Sequence, residues 1–207
     1  KDAGYAADTH HRFREQFEKV VGTPPPDDPW AQLDLAIRAV LDSWYSKRAV
    51  AYRQSRGISD EGGTAVTIQA MVFGNLDDQS GTGVLFTQNP LTGAAEPYGE
   101  WLPRGQGEDV VSGRADALHL ADLAEQMPAV HRELLAAAAT LERDGRDVQD
   151  IEFTVQSGTL WLLQARAAKR TPQAALRCAT RLQRNGLISI AEALDRITAD
   201  HVRALLR

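Results

Sequence analysis

Cysteine is nearly absent from this 207-residue sequence, in which Cys178 is the single example. One thiol cannot form an internal disulfide, which excludes the class of small secreted domains that disulfides hold together. Cys178 also lies in a stretch with helical periodicity, where a small core residue is a more ordinary role than a nucleophile. We therefore expect a protein of a reducing compartment, the cytoplasm.

Long apolar runs and basic clusters are also missing. No uninterrupted apolar run approaches the roughly 20 residues that a membrane span needs, and no apolar leader opens the chain. The formal net charge is -5, and no stretch combines clustered Lys and Arg with aromatic residues. The sequence therefore lacks the basic surface that binds the phosphate backbone of a nucleic acid. We expect no nucleic acid and no membrane among the partners.

Hydrophobic residues make up 43% of the chain, enough to build a core. Apolar residues at helical spacing predict three helices, and runs of β-branched residues bracketed by glycine predict two strands. The predicted helices cover residues 10–21, 29–44 and 121–143, and the predicted strands cover residues 64–73 and 83–87. This mixture predicts an α+β fold.

Helix boundaries are marked by capping residues at three places. A side-chain oxygen at an N-cap, followed by proline at the first helical position, marks a helix start. Glutamate three residues after a serine forms a capping box. These starts are Asp28 with Pro29, Thr171 with Pro172, and Ser189 with Glu192.

Two alternating runs flank Ser157-Gly158-Thr159 and predict a hairpin with a three-residue loop. Pairing about Gly158 collects the apolar residues on one face, because side chains alternate along a strand. The predicted apolar pairs are Ile151 with Ala165, Phe153 with Leu163, and Val155 with Trp161. The predicted polar pairs on the other face are Asp150 with Arg166, and Glu152 with Gln164.

The polar face of this hairpin has two interpretations. Two carboxylates and an amide oxygen are ligands that Mg²⁺ accepts when it also binds nucleotide phosphates, and Arg166 could neutralise phosphate charge. The alternative is the ordinary solvated face of an antiparallel sheet. The alternation of polar and apolar residues favours the solvated face, but it leaves both interpretations open.

Several segments, in order and with compatible spacing, resemble the nucleotide-binding region of pyruvate phosphate dikinases. The resemblance covers most of the chain from about Ser43 to Ile197. The segments are GTAV at 63–66, QAMVFGN at 69–75, SGTGVLFT at 80–87, NP at 89–90, GQGEDVV at 105–111, QDIEFT at 149–154, LQAR at 163–166 and KRT at 169–171.

The resemblance implies an α+β, ATP-grasp-like fold, with an antiparallel sheet, covering helices and flanking helical segments. It divides the chain into a helical part at 1–45, the ATP-grasp-like portion at 46–168 and a helical segment at 169–207 that leads to a next domain. It also implies a reaction in which ATP, with Mg²⁺, phosphorylates a histidine on a swivelling domain of the same parent chain. ATP, phosphate and pyruvate would thereby be linked to AMP, diphosphate and phosphoenolpyruvate.

The resemblance also implies roles for individual residues. Asp150, Glu152 and Gln164 would hold the metal and phosphates, and Arg166 would act in catalysis close by. The nucleotide-binding residues would be an adenine hinge of Gln69, Ala70, Met71 and Val72, together with an acidic pair, Glu108 and Asp109. From the residues alone, that acidic pair is a charged loop after Gly107.

Three differences from the family pattern bear on activity. Family members usually have arginine where this chain has Gln88, and glutamine supplies neither the charge nor the forked donors of a guanidinium. The family's glycine-rich phosphate loop and its phosphohistidine motif are also missing, so we expect a piece that is inactive alone. Exposed apolar surface would favour a homodimer.

The alternatives are a kinase like phosphoenolpyruvate synthase or rifampicin phosphotransferase, and a non-catalytic docking or regulatory module with the same fold. The docking module is favoured by Gln88. It is disfavoured by Glu152 and Gln164, which such a module does not need.

Overall fold

The computed structural model describes residues 3–107, 109 and 117–206. The chain divides into two compact units, Lys1–Ala70 and Met71–Arg207, and each is described by itself. The three-part division expected from the sequence stays a prediction. No helix within the described ranges is both long enough and apolar enough to cross a membrane.

The described residues of the first unit form three α-helices, α1 (Ala3–Val21), α2 (Pro29–Asp42) and α3 (Lys47–Arg56), with a 3₁₀ turn at Ser43–Tyr45. The predicted start of α2 is confirmed, because the Asp28 carboxylate accepts a hydrogen bond from the Ala31 N–H at 2.8 Å. Helix α3 was not predicted. Its Arg53 is buried, lies 4.0 Å from the Trp44 ring centroid and donates to the Trp44 carbonyl.

The second unit is built on a five-stranded antiparallel sheet with the order β3-β2-β1-β4-β5. The α+β, ATP-grasp-like expectation is confirmed by this sheet and its helices. The strands are β1 (Gly81–Phe86), β2 (Tyr98–Pro103), β3 (Leu118–His119), β4 (Gln149–Gln156) and β5 (Thr159–Ala167).

Two helices, α4 (Leu120–Gln126) and α5 (Pro128–Gly145), cover one face of the sheet. The single helix predicted at 121–143 is wrong, since the proline at 128 lacks an N–H and begins a new helix after Met127. The buried residues between sheet and helices are Leu85, Trp101, Leu120, Leu123, Val130, Leu134, Ala138, Ile151, Phe153 and Val155.

The two glycines of the Gly81-Thr82-Gly83 segment make room for core aromatic rings. Gly83 lies between Trp101 on β2 and Phe153 on β4, whose rings stack with centroids 6.0 Å apart. A Cβ atom on Gly83 would lie 2.6 Å from the Phe153 ring, and one on Gly81 would lie 2.1 Å from the Trp101 ring. Packing therefore requires glycine at both positions.

The strand predicted at 64–73 is wrong, because residues 64–73 form no strand in the structure. High β-propensity describes residues that fit a pleated, half-buried surface and does not supply a neighbouring strand. Among the described residues, none of the five strands pairs with this stretch, and Ile68, Met71 and Phe73 are exposed.

The hairpin register is confirmed from Gln149 to Glu152 and wrong beyond it. A β-bulge lies between Glu152 and Phe153, so Phe153 pairs with Leu162 and Val155 with Leu160. Leu163 is the extra residue on β5. The slip allows Leu160 to pack against the core cluster, and it moves Trp161 opposite Thr154.

The hairpin turn contains two residues, Ser157 and Gly158, rather than the predicted three. Both have positive φ angles, 48° and 76°, as the tight turns that match strand twist require. Asp77 stabilises this turn, since its carboxylate accepts hydrogen bonds from the Ser157 and Ser80 hydroxyls. The hydrogen bond from Ser157, followed by that from Ser80, lowers the pKa of Asp77.

The chain ends in α6 (Pro172–Arg184), α7 (Ile190–Asp195) and α8 (Ala199–Leu205). The predicted Thr171 cap and the Ser189–Glu192 capping box are both confirmed. Helix α6 buries Cys178, and burial raises the pKa of its thiol, as expected of a core residue.

Candidate functional site

The candidate site lies on the face of β4 and β5 that is turned away from α4 and α5. Asp150 pairs with Arg166 and Glu152 with Gln164, as the sequence predicted. Because residues directly opposite each other share a face, the four side chains form two adjacent rows on the same surface. The sheet therefore brings together the predicted metal-side residues and the predicted catalytic arginine.

Arg166 holds both carboxylates in this arrangement. Its Nε donates to Asp150 Oδ2 at 2.8 Å, and its Nη2 lies 3.3 Å from Glu152 Oε1. The hydrogen bond and the charge of Asp150 raise the pKa of Arg166, so the guanidinium is charged throughout the physiological range. The Asp150 side chain is 13% exposed, whereas that of Arg166 is 56% exposed. The arginine therefore has freedom to move towards a ligand.

The donor set fits Mg²⁺ when the nucleotide supplies the remaining oxygens. Within the part of the chain that the structure describes, no group of three or more His, Cys, Asp or Glu side chains is placed to hold a metal ion. Mg²⁺ in nucleotide sites takes one or two protein carboxylates and completes its shell with phosphate oxygens and water. Asp150, Glu152 and the Gln164 amide oxygen match that requirement.

The predicted adenine hinge has no strand geometry. Gln69 and Ala70 belong to the first unit and are exposed, whereas Met71 and Val72 belong to the second. The segment that follows is tied to the sheet, because the Phe73 N–H donates to Gln156 Oε1 at 2.7 Å. The role of these four residues in nucleotide binding stays a prediction.

Gln106 and Asp109, in the glycine-rich sequence that the resemblance singles out, make hydrogen bonds in the structure. The Gln106 side chain accepts from the Gly74 N–H at 3.3 Å and donates to Asn75 Oδ1 at 3.2 Å. Asp109 accepts from the Gln106 N–H at 2.9 Å. Glu108, its predicted partner near the nucleotide, lies outside the described residues. The role of the acidic pair is therefore still a prediction.

Gln88 occupies a buried position that sequence reasoning did not foresee. Its Nε2 donates to Glu142 Oε1 at 3.1 Å, and its Oε1 accepts from Arg181 Nη1 at 2.6 Å. Glu142 lies on α5 and Arg181 on α6, and Gln88 is 3% exposed. The residue that replaces the family's usual arginine thus bridges an acid and a base between two helices.

Replacing Gln88 by leucine is expected to lower the free energy of unfolding by about 1–3 kcal/mol, because two half-buried charged partners each lose a hydrogen bond. Nucleotide affinity should be unchanged, since both side-chain partners of Gln88 lie on α5 and α6 and neither belongs to the β4–β5 face. Urea unfolding and calorimetric titration of Mg-ATP check both expectations. Reduced affinity with normal stability would instead place Gln88 in the ligand site.

Trp161 is a site-face residue that sequence reasoning placed on the wrong side. The bulge at Leu163 puts it on the same face as Gln164 and Arg166, where it is 47% exposed. An aromatic ring at the edge of a polar site offers a stacking surface. The signal in the sequence was Gly158, because glycine adopts positive φ readily and so favours a two-residue turn. A two-residue turn implies the shifted register.

Comparison with known proteins gives one family. Residues 10–132 match the family described as pyruvate phosphate dikinase, AMP/ATP-binding domain. The chain is 46% identical over 199 residues to the chloroplastic pyruvate, phosphate dikinase of Flaveria pringlei, covering 96% of this chain and 21% of that protein. It is 45% identical over 207 residues to the pyruvate, phosphate dikinase of Rhizobium meliloti (strain 1021), covering 94% and 23%.

A third relative, the chloroplastic pyruvate, phosphate dikinase 1 of Arabidopsis thaliana, is 45% identical over 195 residues, which cover 94% of this chain and 20% of that protein. The chain therefore spans about a fifth of the length of the curated relatives it matches. Because the alignments leave so little of this chain uncovered, they include the β4–β5 hairpin.

Proposed function

The chain belongs to the pyruvate phosphate dikinase family, in its AMP/ATP-binding part, and we propose that its β4–β5 face holds the metal and phosphate end of Mg-ATP. The reaction would be phosphoryl transfer from ATP to a histidine on a swivelling domain of the same parent chain. Pyruvate would be the later acceptor, as the name of the relatives suggests.

The observation that supports this proposal most is the contact of one guanidinium with two carboxylates on a strand pair. An ordinary solvated sheet face gains little from such an arrangement, because exposed ion pairs contribute about 0–1 kcal/mol. At a nucleotide site the same three groups have separate tasks. The carboxylates attract a cation, and the guanidinium attracts phosphate oxygens.

The side chains of this face would act by positioning and by charge. Asp150 and Glu152 would hold Mg²⁺, and the Gln164 amide oxygen would orient the same ion or its water. Bound Mg²⁺ supplies neutralisation of the phosphate oxygens. Arg166 would exchange its contact with the carboxylates for a contact with phosphate, which places positive charge where negative charge develops during transfer.

The remaining predicted residues complete the proposal. Gln69, Ala70, Met71 and Val72 would bind the adenine, and Glu108 with Asp109 would lie near the phosphates. The buried, unpaired Cys178 supports a reducing compartment such as the cytoplasm. A homodimer stays a prediction.

Mg²⁺ dependence of ATP binding tests the proposal. Calorimetric titration of ATP into the chain should give saturable binding with Mg²⁺, and binding at least about tenfold weaker with EDTA, because two carboxylates then face a triphosphate without a cation between them. Equal affinity under both conditions would contradict a metal-holding role for this face. No binding under either condition, by this chain and by its longer parent protein alike, would support the docking-module interpretation.

A further inference from the structure

A small cavity lies between the end of β5, α6 and the last two helices, apart from the β4–β5 face. It has a volume of about 190 Å³. Its floor consists of three buried alanines, and its walls are polar. The lining residues are Ala168, Arg170, Ala175, Ala179, Arg196 and His201. Small apolar side chains below long cationic ones leave room for a compact ligand that meets the charged groups.

The cavity has an excess of positive charge. Asp147 is the acidic partner of both arginines: Arg170 donates to its two carboxylate oxygens at 2.6 and 2.9 Å. Arg196 Nη1 lies 3.2 Å from Asp147 Oδ1, which also accepts from the Val148 N–H. The Asp147 carboxylate, which already makes a bidentate contact with Arg170, is thus the acidic partner of two guanidinium groups. The cluster retains one uncompensated positive charge.

One side-chain nitrogen of Arg196, Nη1, lacks a hydrogen bond in spite of this contact. Its Nη1 is buried and has no hydrogen-bond partner among the described residues, because the approach to Asp147 is close but poorly directed. A buried cationic donor without an acceptor is destabilising, so native structures normally provide one. An anionic acceptor inside the cavity would accept a hydrogen bond from this donor and would also balance the excess positive charge.

His201 adds a further donor to the cavity wall. Its Nδ1 accepts a hydrogen bond from the Thr198 N–H at 3.3 Å, in the capping box that starts α8. A neutral imidazole whose Nδ1 accepts carries its proton on Nε2, which is then a donor. The side chains that line the cavity therefore offer donors from two guanidiniums and one imidazole.

We propose that this cavity binds a single tetrahedral oxyanion of phosphate size. Planar guanidinium groups match the oxygen edges of such an anion with paired hydrogen bonds. The cavity is too small for a nucleotide, since pockets for larger organic ligands measure about 300–1,000 Å³. None of the residues that line the cavity lies on β4 or β5, so the oxyanion site is separate from the proposed Mg-ATP site, and neither proposal depends on the other.

Thermal unfolding of the chain with inorganic phosphate tests this site. At constant ionic strength, phosphate in place of chloride should raise the unfolding temperature with a saturable dependence on concentration, because the ligand binds the folded state. Phosphate also stabilises proteins generally by exclusion from their surface, which gives a shift that does not saturate. Arg196→Gln should remove the saturable part and leave the general part.

Variants and a second probe make the test specific. Arg184→Gln, on the exposed surface of α6, should retain the saturable shift. Arg196→Lys should weaken phosphate affinity about tenfold or more and retain the fold, because it keeps the charge and loses the paired donors. Phenyl phosphate that binds as tightly as inorganic phosphate would indicate an esterified phosphoryl group as the ligand. Binding by inorganic phosphate alone would indicate the free anion.

Two results of the thermal unfolding experiment would overturn the proposal. One is a phosphate effect without saturation in the parent chain. The other is a saturable effect that Arg196→Gln preserves. A nuclear magnetic resonance titration separates the sites, because phosphate should shift the Ala175 and Ala179 amides; shifts centred on Gln164 and Arg166 would place the anion on the β4–β5 face and refute the proposal.

Discussion

Replacing Glu152 by glutamine is expected to weaken Mg-ATP binding by about 10- to 100-fold while the free energy of unfolding changes little. The loss follows from removing a charged ligand from the proposed metal, since a hydrogen bond or contact to a charged group contributes about 1.5–3 kcal/mol. Stability should change little because Glu152 is 35% exposed and its partner Arg166 is 56% exposed. Calorimetric titration and urea unfolding measure the two quantities.

Glu133→Gln is the matched control for this experiment. It makes the same chemical change at an exposed position on α5, on the other side of the sheet. If the two variants lose affinity equally, the effect is one of total charge, and the metal-binding role of Glu152 is wrong. If neither loses affinity, the polar face is an ordinary solvated surface.

Replacing Phe153 by alanine is expected to lower the free energy of unfolding of the second unit by about 3–5 kcal/mol. Phe153 is fully buried and stacks on Trp101 next to Gly83. Because glycine has no side chain, Gly83 cannot fill the cavity that the loss of the Phe153 ring would leave. The Trp101 indole N–H donates to Gln126 Oε1 at 3.1 Å, so its proton resonance reports this unit during urea unfolding.

Phe73→Ala serves as the comparison, because Phe73 is 43% exposed and belongs to the same unit. Its loss should cost much less than the loss of Phe153. A cost below about 1 kcal/mol for Phe153→Ala would contradict the assignment of the Trp101–Phe153 stack to the core, since full burial of a large side chain contributes more than that.

The polar pairs of the hairpin could be predicted because they depend only on the two-residue alternation of a strand and on the nearby turn. Asp150 with Arg166 and Glu152 with Gln164 needed no knowledge of the rest of the fold. The bulge at Leu163 could not be predicted in the same way. It depends on Leu160 packing against a core that α4 and α5 complete.

The error at 64–73 and the unforeseen contacts of Gln88 have another cause, which is dependence on distant residues. A stretch rich in β-branched residues becomes a strand only where a partner lies beside it. Gln88 meets Glu142 and Arg181, which are 54 and 93 positions away. The sequence difference from the family suggested a loss of function, whereas the contacts show a buried bridge between helices.

The most direct test of the metal site replaces Mg²⁺ by paramagnetic Mn²⁺ in the presence of ATP and records amide resonances of the chain. The proposed site predicts saturable broadening centred on Glu152, Gln164 and Arg166, with the resonances of Leu134 and Ala138 on α5 affected much less. Broadening centred away from β4 and β5, or none that saturates with Mn-ATP, would contradict a metal-nucleotide site on this face.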